Sequence, residues 1–71
     1  MNVKVHKEFA RLVRRNRRLR NLSQTELGEI IGMTRATVSH IELGLQKIFL
    51  GQAVKLSTYL SISLDALKDI E

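Results

Sequence analysis

Apolar residues recur every three or four positions along most of the chain, which is the spacing of helices that bury one face. No proline interrupts the chain, glycine is rare, and no apolar run approaches the length of a membrane span. This pattern predicts one all-α domain over residues 1–71, with short connections. Five helices are predicted: Val5 to about Leu19, two between Leu22 and Leu43, about Leu50 to Leu60, and a short last helix capped by Ser63. Residues Met1 to Lys4 are expected to fray.

The two helices between Leu22 and Leu43 each have a local start signal. Ser23 and Glu26 have the spacing of a capping box, and Thr34 caps the second helix. Gly32 between them can adopt the positive φ that a tight turn requires. The residues expected to face inward are Leu27, Ile30, Ile31, Met33, Val38 and Ile41, with Gly28 at the helix crossing. Two short helices packed across such a turn form a helix-turn-helix.

The second of these helices leaves one stripe of side chains on its outer side. The stripe consists of Arg35, Ala36, Ser39, His40 and Leu43, with Thr37 beside it. An α-helix fits the major groove of duplex DNA, where such side chains reach the edges of the bases. The alternative is an ordinary solvated helix face. We expect the stripe to read DNA.

Positive charge is concentrated in the first part of the chain. Residues 1–20 contain eight of the twelve Lys and Arg and a single acid, whereas the remainder is slightly acidic. A polyanion is the natural partner of such a segment. The arginines of the first helix, Arg14 and Arg18 among them, are therefore candidates for phosphate contact; a solvated basic face is the alternative.

Catalytic and metal-binding patterns are not found in the sequence. The chain has no Cys, and its two histidines have no carboxylate at ligand spacing. No phosphate loop or nucleophile motif occurs. We therefore expect no enzyme activity, no metal and no cofactor. With no apolar leader in the sequence, the expected location is the cytoplasm.

The segments after the helix-turn-helix suggest further contacts. Gln46 and Lys47 could touch the DNA backbone, and the apolar Phe49 could cover the core or join an interface. In the predicted last helix, Leu64, Leu67 and Ile70 form an apolar edge. That edge either closes the core or contacts a second copy of the chain.

The chain resembles the phage-repressor type of helix-turn-helix family, also called Xre/Cro/C1-like. The resemblance runs from about Phe9 to Leu67. It rests on four groups of residues: Asn21-Leu22-Ser23-Gln24-x-Glu26-Leu27; Gly32-Met33-Thr34-x-x-Thr37-Val38-Ser39-x-Ile41-Glu42; Gly44; and Leu60-x-Ile62-Ser63-Leu64-Asp65-x-Leu67.

What this resemblance implies is a compact five-helix domain, of the lambda-repressor-like type, that binds operator DNA as a two-fold dimer. By the same resemblance, Gln24 bonds a phosphate, and Thr34 contacts the backbone or an adjacent base. Arg17 would pair with Glu42 and tie the first helix to the recognition helix. The groove-facing positions are Arg35, Ala36, Thr37, Ser39 and His40.

Three functions are compatible with these features. The first is a sequence-specific transcription regulator, a repressor that occupies an operator as a homodimer. The second is an antitoxin or restriction-modification controller, which binds DNA and a protein partner such as a toxin. The third is a module that binds RNA or an anionic surface through its arginine-rich first helix.

Overall fold

The computed structural model describes residues 2–4, 7–45, 47–63 and 69–70. Within these residues there are four helices and three short strands. In chain order they are β1 (Asn2–Lys4), α1 (Lys7–Leu19), α2 (Gln24–Ile31), α3 (Arg35–Glu42), β2 (Lys47–Phe49), α4 (Leu50–Leu60) and β3 (Asp69–Ile70). None of these helices is both long enough and apolar enough to span a bilayer.

The helix α2 begins with the capping box that the sequence predicts. The Ser23 hydroxyl accepts the backbone N–H of Glu26 at 3.0 Å, and the Glu26 carboxylate accepts the backbone N–H of Ser23 at 2.8 Å. The pKa of Glu26 lies below its ordinary value, first because the Ser23 backbone N–H donates to the ionised carboxylate and second because the Ser23 hydroxyl also stabilises it. The box therefore fixes the first turn of α2 and the direction in which the chain enters it.

The turn between α2 and α3 runs from the cap that ends α2, at Gly32, to the cap that begins α3, at Thr34. Gly32 ends α2 in the left-handed conformation, with φ of 75°. The Thr34 hydroxyl then accepts the backbone N–H of Thr37 at 3.1 Å, which caps α3. A Cβ added to Gly28 would lie 2.4 Å from the carbonyl oxygen of Met33, so the turn packs directly on α2. The predicted helix-turn-helix is confirmed.

One apolar core joins all four helices and the strand β2. It contains Phe9, Ala10, Val13, Leu27, Ile31, Val38, Ile41, Ile48, Ala53, Leu56, Leu60 and Ile62. One residue predicted to face inward is more exposed than expected: Ile30 on α2 is 48% exposed. The expectation that Ile30 faces inward is wrong because Leu27 and Ile31 already fill the buried side of this two-turn helix.

A three-stranded antiparallel sheet corrects the all-α prediction. Its strand order is β2-β1-β3, with Val3 opposite Ile48 on one side and opposite Ile70 on the other. Residues 2–4 are therefore paired with two strands rather than frayed. Ile48 is buried between exposed neighbours, the alternation of a half-buried strand, but three residues are too few to reveal that period in the sequence.

The last helix predicted from the sequence is not confirmed, because residues 64–68 lie outside the described residues. Ile70 lies in β3 and not in a helix, so the prediction is wrong there. Leu64 and Leu67 of the predicted last helix lie outside the described residues, as does Val5, the first residue of the predicted first helix. The fold is therefore a mostly helical domain with a small sheet, rather than five helices alone.

Candidate nucleic-acid interface

The outer side of α3 presents the predicted stripe. Arg35, Ala36 and His40 are exposed, and Thr37 and Ser39 are half-buried. On the opposite side of the same helix, Val38 and Ile41 are buried in the core. Because the core fixes that side, the rotation of α3 about its own axis is fixed as well. The stripe is thus held facing outward by packing.

A concave surface lies where α1, the start of α2 and α3 meet, and we call it the α1–α3 cleft. Its lining residues are Arg14, Arg17, Arg18, Ser23, Gln24, Thr25, Arg35, Ser39, Glu42 and Leu43. The structure therefore brings together residues from three helices that the sequence could only place separately. Cations dominate this surface, because Glu42 is the only acid among the described residues that line it.

Other predicted site residues do not line the cleft. Thr34 is exposed at the start of α3, and its hydroxyl lies 3.0 Å from the hydroxyl of Thr37. Lys47 is exposed in β2 and Phe49 is 61% exposed at the start of α4. Gln46 lies outside the described residues, as do the side chains of the other predicted interface residues in the C-terminal segment: Leu64, Leu67 and Ile70.

The floor of the cleft is the ion pair between Arg17 and Glu42. The Nε of Arg17 donates to Oε2 of Glu42 at 2.6 Å, and its Nη2 donates to Oε1 at 3.0 Å. The side chains are 11% and 3% exposed. The remaining Nη1 donates to the carbonyl of Leu22 at 2.7 Å. One guanidinium therefore holds α1, the turn after it and α3 in a fixed relation.

A further contact joins Gln24 to this pair, and sequence reasoning missed it. Gln24 is the first residue of α2, and its Nε2 donates to Oε1 of Glu42 at 3.2 Å. The two residues are 18 positions apart on different helices, so no local spacing indicates the contact.

The basic surface extends from the cleft around α1. Arg11, Arg14, Arg15 and Arg18 line a second shallow surface together with Leu19. Arg11 donates to both carboxylate oxygens of Glu8, at 2.7 and 2.8 Å, and these bonds raise the pKa of Arg11. Its charge is thus partly balanced, whereas Arg14 and Arg18 carry theirs on the cleft itself.

Comparison with protein families identifies the class to which this arrangement belongs. A family model described as helix-turn-helix matches residues 13–67, more than half of the chain. The protein belongs to this family, the Xre/Cro/C1 type of helix-turn-helix, whose members are DNA-binding transcription regulators rather than enzymes. The resemblance found in the sequence is thereby confirmed. Comparisons with curated proteins and with solved structures gave no match.

Proposed function

We propose that this protein is a sequence-specific regulator of transcription that represses by occupying a double-stranded DNA operator as a dimer. The observation that supports this most is the α1–α3 cleft. It combines the start of the recognition helix at Arg35 with the start of α2 at Gln24 and with the exposed guanidinium groups of Arg14 and Arg18. Base-reading and phosphate-binding groups thus share one concave surface.

In this proposal α3 enters the major groove and reads the bases. Arg35, the first residue of α3, can donate two hydrogen bonds to O6 and N7 of guanine. Ser39 and His40 offer further polar groups one turn along, and the side chains of Ala36 and Thr37 carry methyl groups that can contact a thymine methyl.

Phosphate contacts would set the register of the protein on the duplex. Gln24 and Thr34 stand at the starts of α2 and α3, where backbone N–H groups also favour an anion. Arg14 and Arg18 add charge on the flank of the cleft. Gln46 and Lys47 are proposed as contacts beyond the end of α3.

A dimer follows from the need for specificity. One recognition helix reads only a few base pairs, whereas two helices related by a two-fold axis read a palindrome with half-sites about 34–36 Å apart. Phe49 is a large apolar side chain left 61% exposed outside the cleft. We propose that it contributes to the contact together with the C-terminal residues Leu64, Leu67 and Ile70.

A competition experiment tests the nucleic-acid class. The fluorescence anisotropy of labelled duplex DNA is measured with the protein, and unlabelled duplex DNA or RNA hairpin is added as competitor. We expect the DNA to displace the label at much lower concentration. Equal or stronger competition by RNA would favour an RNA-binding module and contradict the proposal.

The same assay tests the cleft arginines through salt dependence. Changing Arg14 and Arg18 to Ala should flatten the slope of log affinity against log salt by up to about two units. The matched control changes Arg20 and Lys55 to Ala, which removes the same charge from the side of the molecule near Tyr59. If both double variants change the slope equally, the DNA backbone does not bind at the cleft.

A further inference from the structure

Glu42 is an acidic residue at the bottom of a surface that is proposed to bind a polyanion. Its side chain is 3% exposed and its carboxylate lies against the Arg17 guanidinium, so the pair carries no net charge toward a bound phosphate. An ion pair that only joins α1 to α3 would need no third member. The third member is Gln24, whose Nε2 donates to the same Oε1 that receives Nη2 of Arg17.

The chemistry of the two groups explains what this contact does. A primary amide has an NH2 end that donates and an oxygen end that accepts, and rotation about its last bond exchanges the two. An ionised carboxylate only accepts, so Glu42 holds the NH2 end of Gln24 toward itself. Glu42 cannot turn to follow the amide, because Arg17 holds both of its oxygens and is itself bonded to the carbonyl of Leu22.

This orientation determines what Gln24 can offer to DNA. The NH2 group has two hydrogens, and Glu42 uses one of them. A phosphate oxygen also only accepts, so it can bond to the second hydrogen but not to the amide oxygen. Without Glu42, the amide could present either end to the phosphate, and the oxygen end would repel it.

We infer that Glu42 is a positioning residue for DNA binding, which selects the donor orientation of Gln24 toward the backbone phosphate. This inference rests on the proposed function, because it assigns a role within the same cleft. It also makes an unusual prediction about charge. Removing a negative charge from a DNA-binding surface ordinarily strengthens binding, whereas removing this one should weaken it.

The test is a double-mutant cycle on the affinity for duplex DNA. Glu42→Gln, Gln24→Ala and the double variant are compared with the wild type, each at a temperature where circular dichroism shows it folded. Glu29→Gln, an exposed acid on α2, is the control for the charge change. We expect Glu42→Gln to weaken binding roughly threefold to tenfold, as for loss of one hydrogen bond, and Glu29→Gln to leave it unchanged or strengthen it. In the Gln24→Ala background, Glu42→Gln should cause no further loss.

Two results would overturn the inference. One is that Glu42→Gln behaves like Glu29→Gln. The other is that it weakens binding equally with and without the Gln24 side chain, which would indicate only a structural role. If the wild type binds no duplex at all, the proposed function itself fails, and that result is seen before any variant is compared.

A measurement on the wild type decides the case should Glu42→Gln fail to fold. The order parameter of the Gln24 side-chain amide in the free protein is obtained by ¹⁵N NMR relaxation. An amide held in one orientation should give an order parameter above about 0.6, because lower order parameters indicate a flexible group. A lower value would mean that Glu42 does not orient Gln24, and it would overturn the inference.

Discussion

At the scale of single residues, the hydroxyl of Ser57 is the buried polar group without a hydrogen-bond partner among the described residues. Ser57 is 5% exposed on the inner side of α4. A hydroxyl that gives up its hydrogen bonds to water on burial and gains no partner lowers the stability of the fold by about 1–3 kcal/mol. Ser57→Ala should therefore raise the free energy of unfolding by about 1 kcal/mol, measured by urea denaturation.

The neighbouring Thr58 provides the control for this substitution. Thr58→Ala also replaces a helical hydroxyl residue by Ala, but at an exposed position. Any gain from helix propensity alone should appear in both variants, and it amounts to no more than about 0.7 kcal/mol. If Ser57→Ala destabilises the protein, its hydroxyl has a partner and the interpretation is wrong.

Single residues also show where sequence reasoning reaches its limit. The positive φ of Asn21, 56°, follows from its residue type and its place at the end of α1. The exposure of Ile30 does not, because helical spacing gives the mean direction of an apolar face and not its width. In a helix of two turns, the same spacing of apolar residues is compatible with a buried or an exposed side chain at the margin of that face.

At the scale of elements, the crossing of α2 and α3 depends on the absence of a side chain at Gly28. A Cβ there would lie 2.4 Å from the Met33 carbonyl oxygen, so the backbone at Gly28 and the backbone at Met33 would have to move apart. Gly28→Ala should lower the free energy of unfolding by about 1–3 kcal/mol, the usual range for overpacking. The thermal midpoint measured by circular dichroism should fall accordingly.

Gly51 offers a matched control for this substitution. It lies in α4, and a Cβ added there would meet nothing within 4 Å. Gly51→Ala should stabilise the protein by about 0.5–1 kcal/mol, because Ala is the better helix former. Equal effects at the two positions would contradict the close crossing.

The elements differ in how far the sequence predicts them. The helix-turn-helix follows from signals within a few residues of each other: Ser23 with Glu26, Gly32, and Thr34. The sheet depends on pairing between segments over 40 residues apart, so no local signal marks β1 as a strand. The α1–α3 cleft is intermediate: Arg14, Arg18, Gln24 and Arg35 were predicted as separate contacts, whereas their arrangement around Arg17 and Glu42 depends on tertiary packing.

At the scale of the whole molecule, the fold places the charge and the recognition helix together. The core fixes the rotation of α3, and the Arg17–Glu42 pair fixes α3 against α1, whose arginines continue the basic surface. These two constraints keep Arg35 beside Arg14 and Arg18. The described part of the molecule therefore presents its cleft arginines and the start of α3 on one surface.

The most direct test of sequence-specific recognition by α3 is the selection of bound duplexes from a random pool, carried out with the wild type and with Arg35→Ala. We expect the wild type to enrich an imperfect palindrome with half-sites about one helical turn apart. Arg35→Ala should lose the preference at one position of each half-site, at a cost of about 1–3 kcal/mol in discrimination. A pool without any enriched sequence, or an unchanged preference in Arg35→Ala, would contradict base reading by this helix.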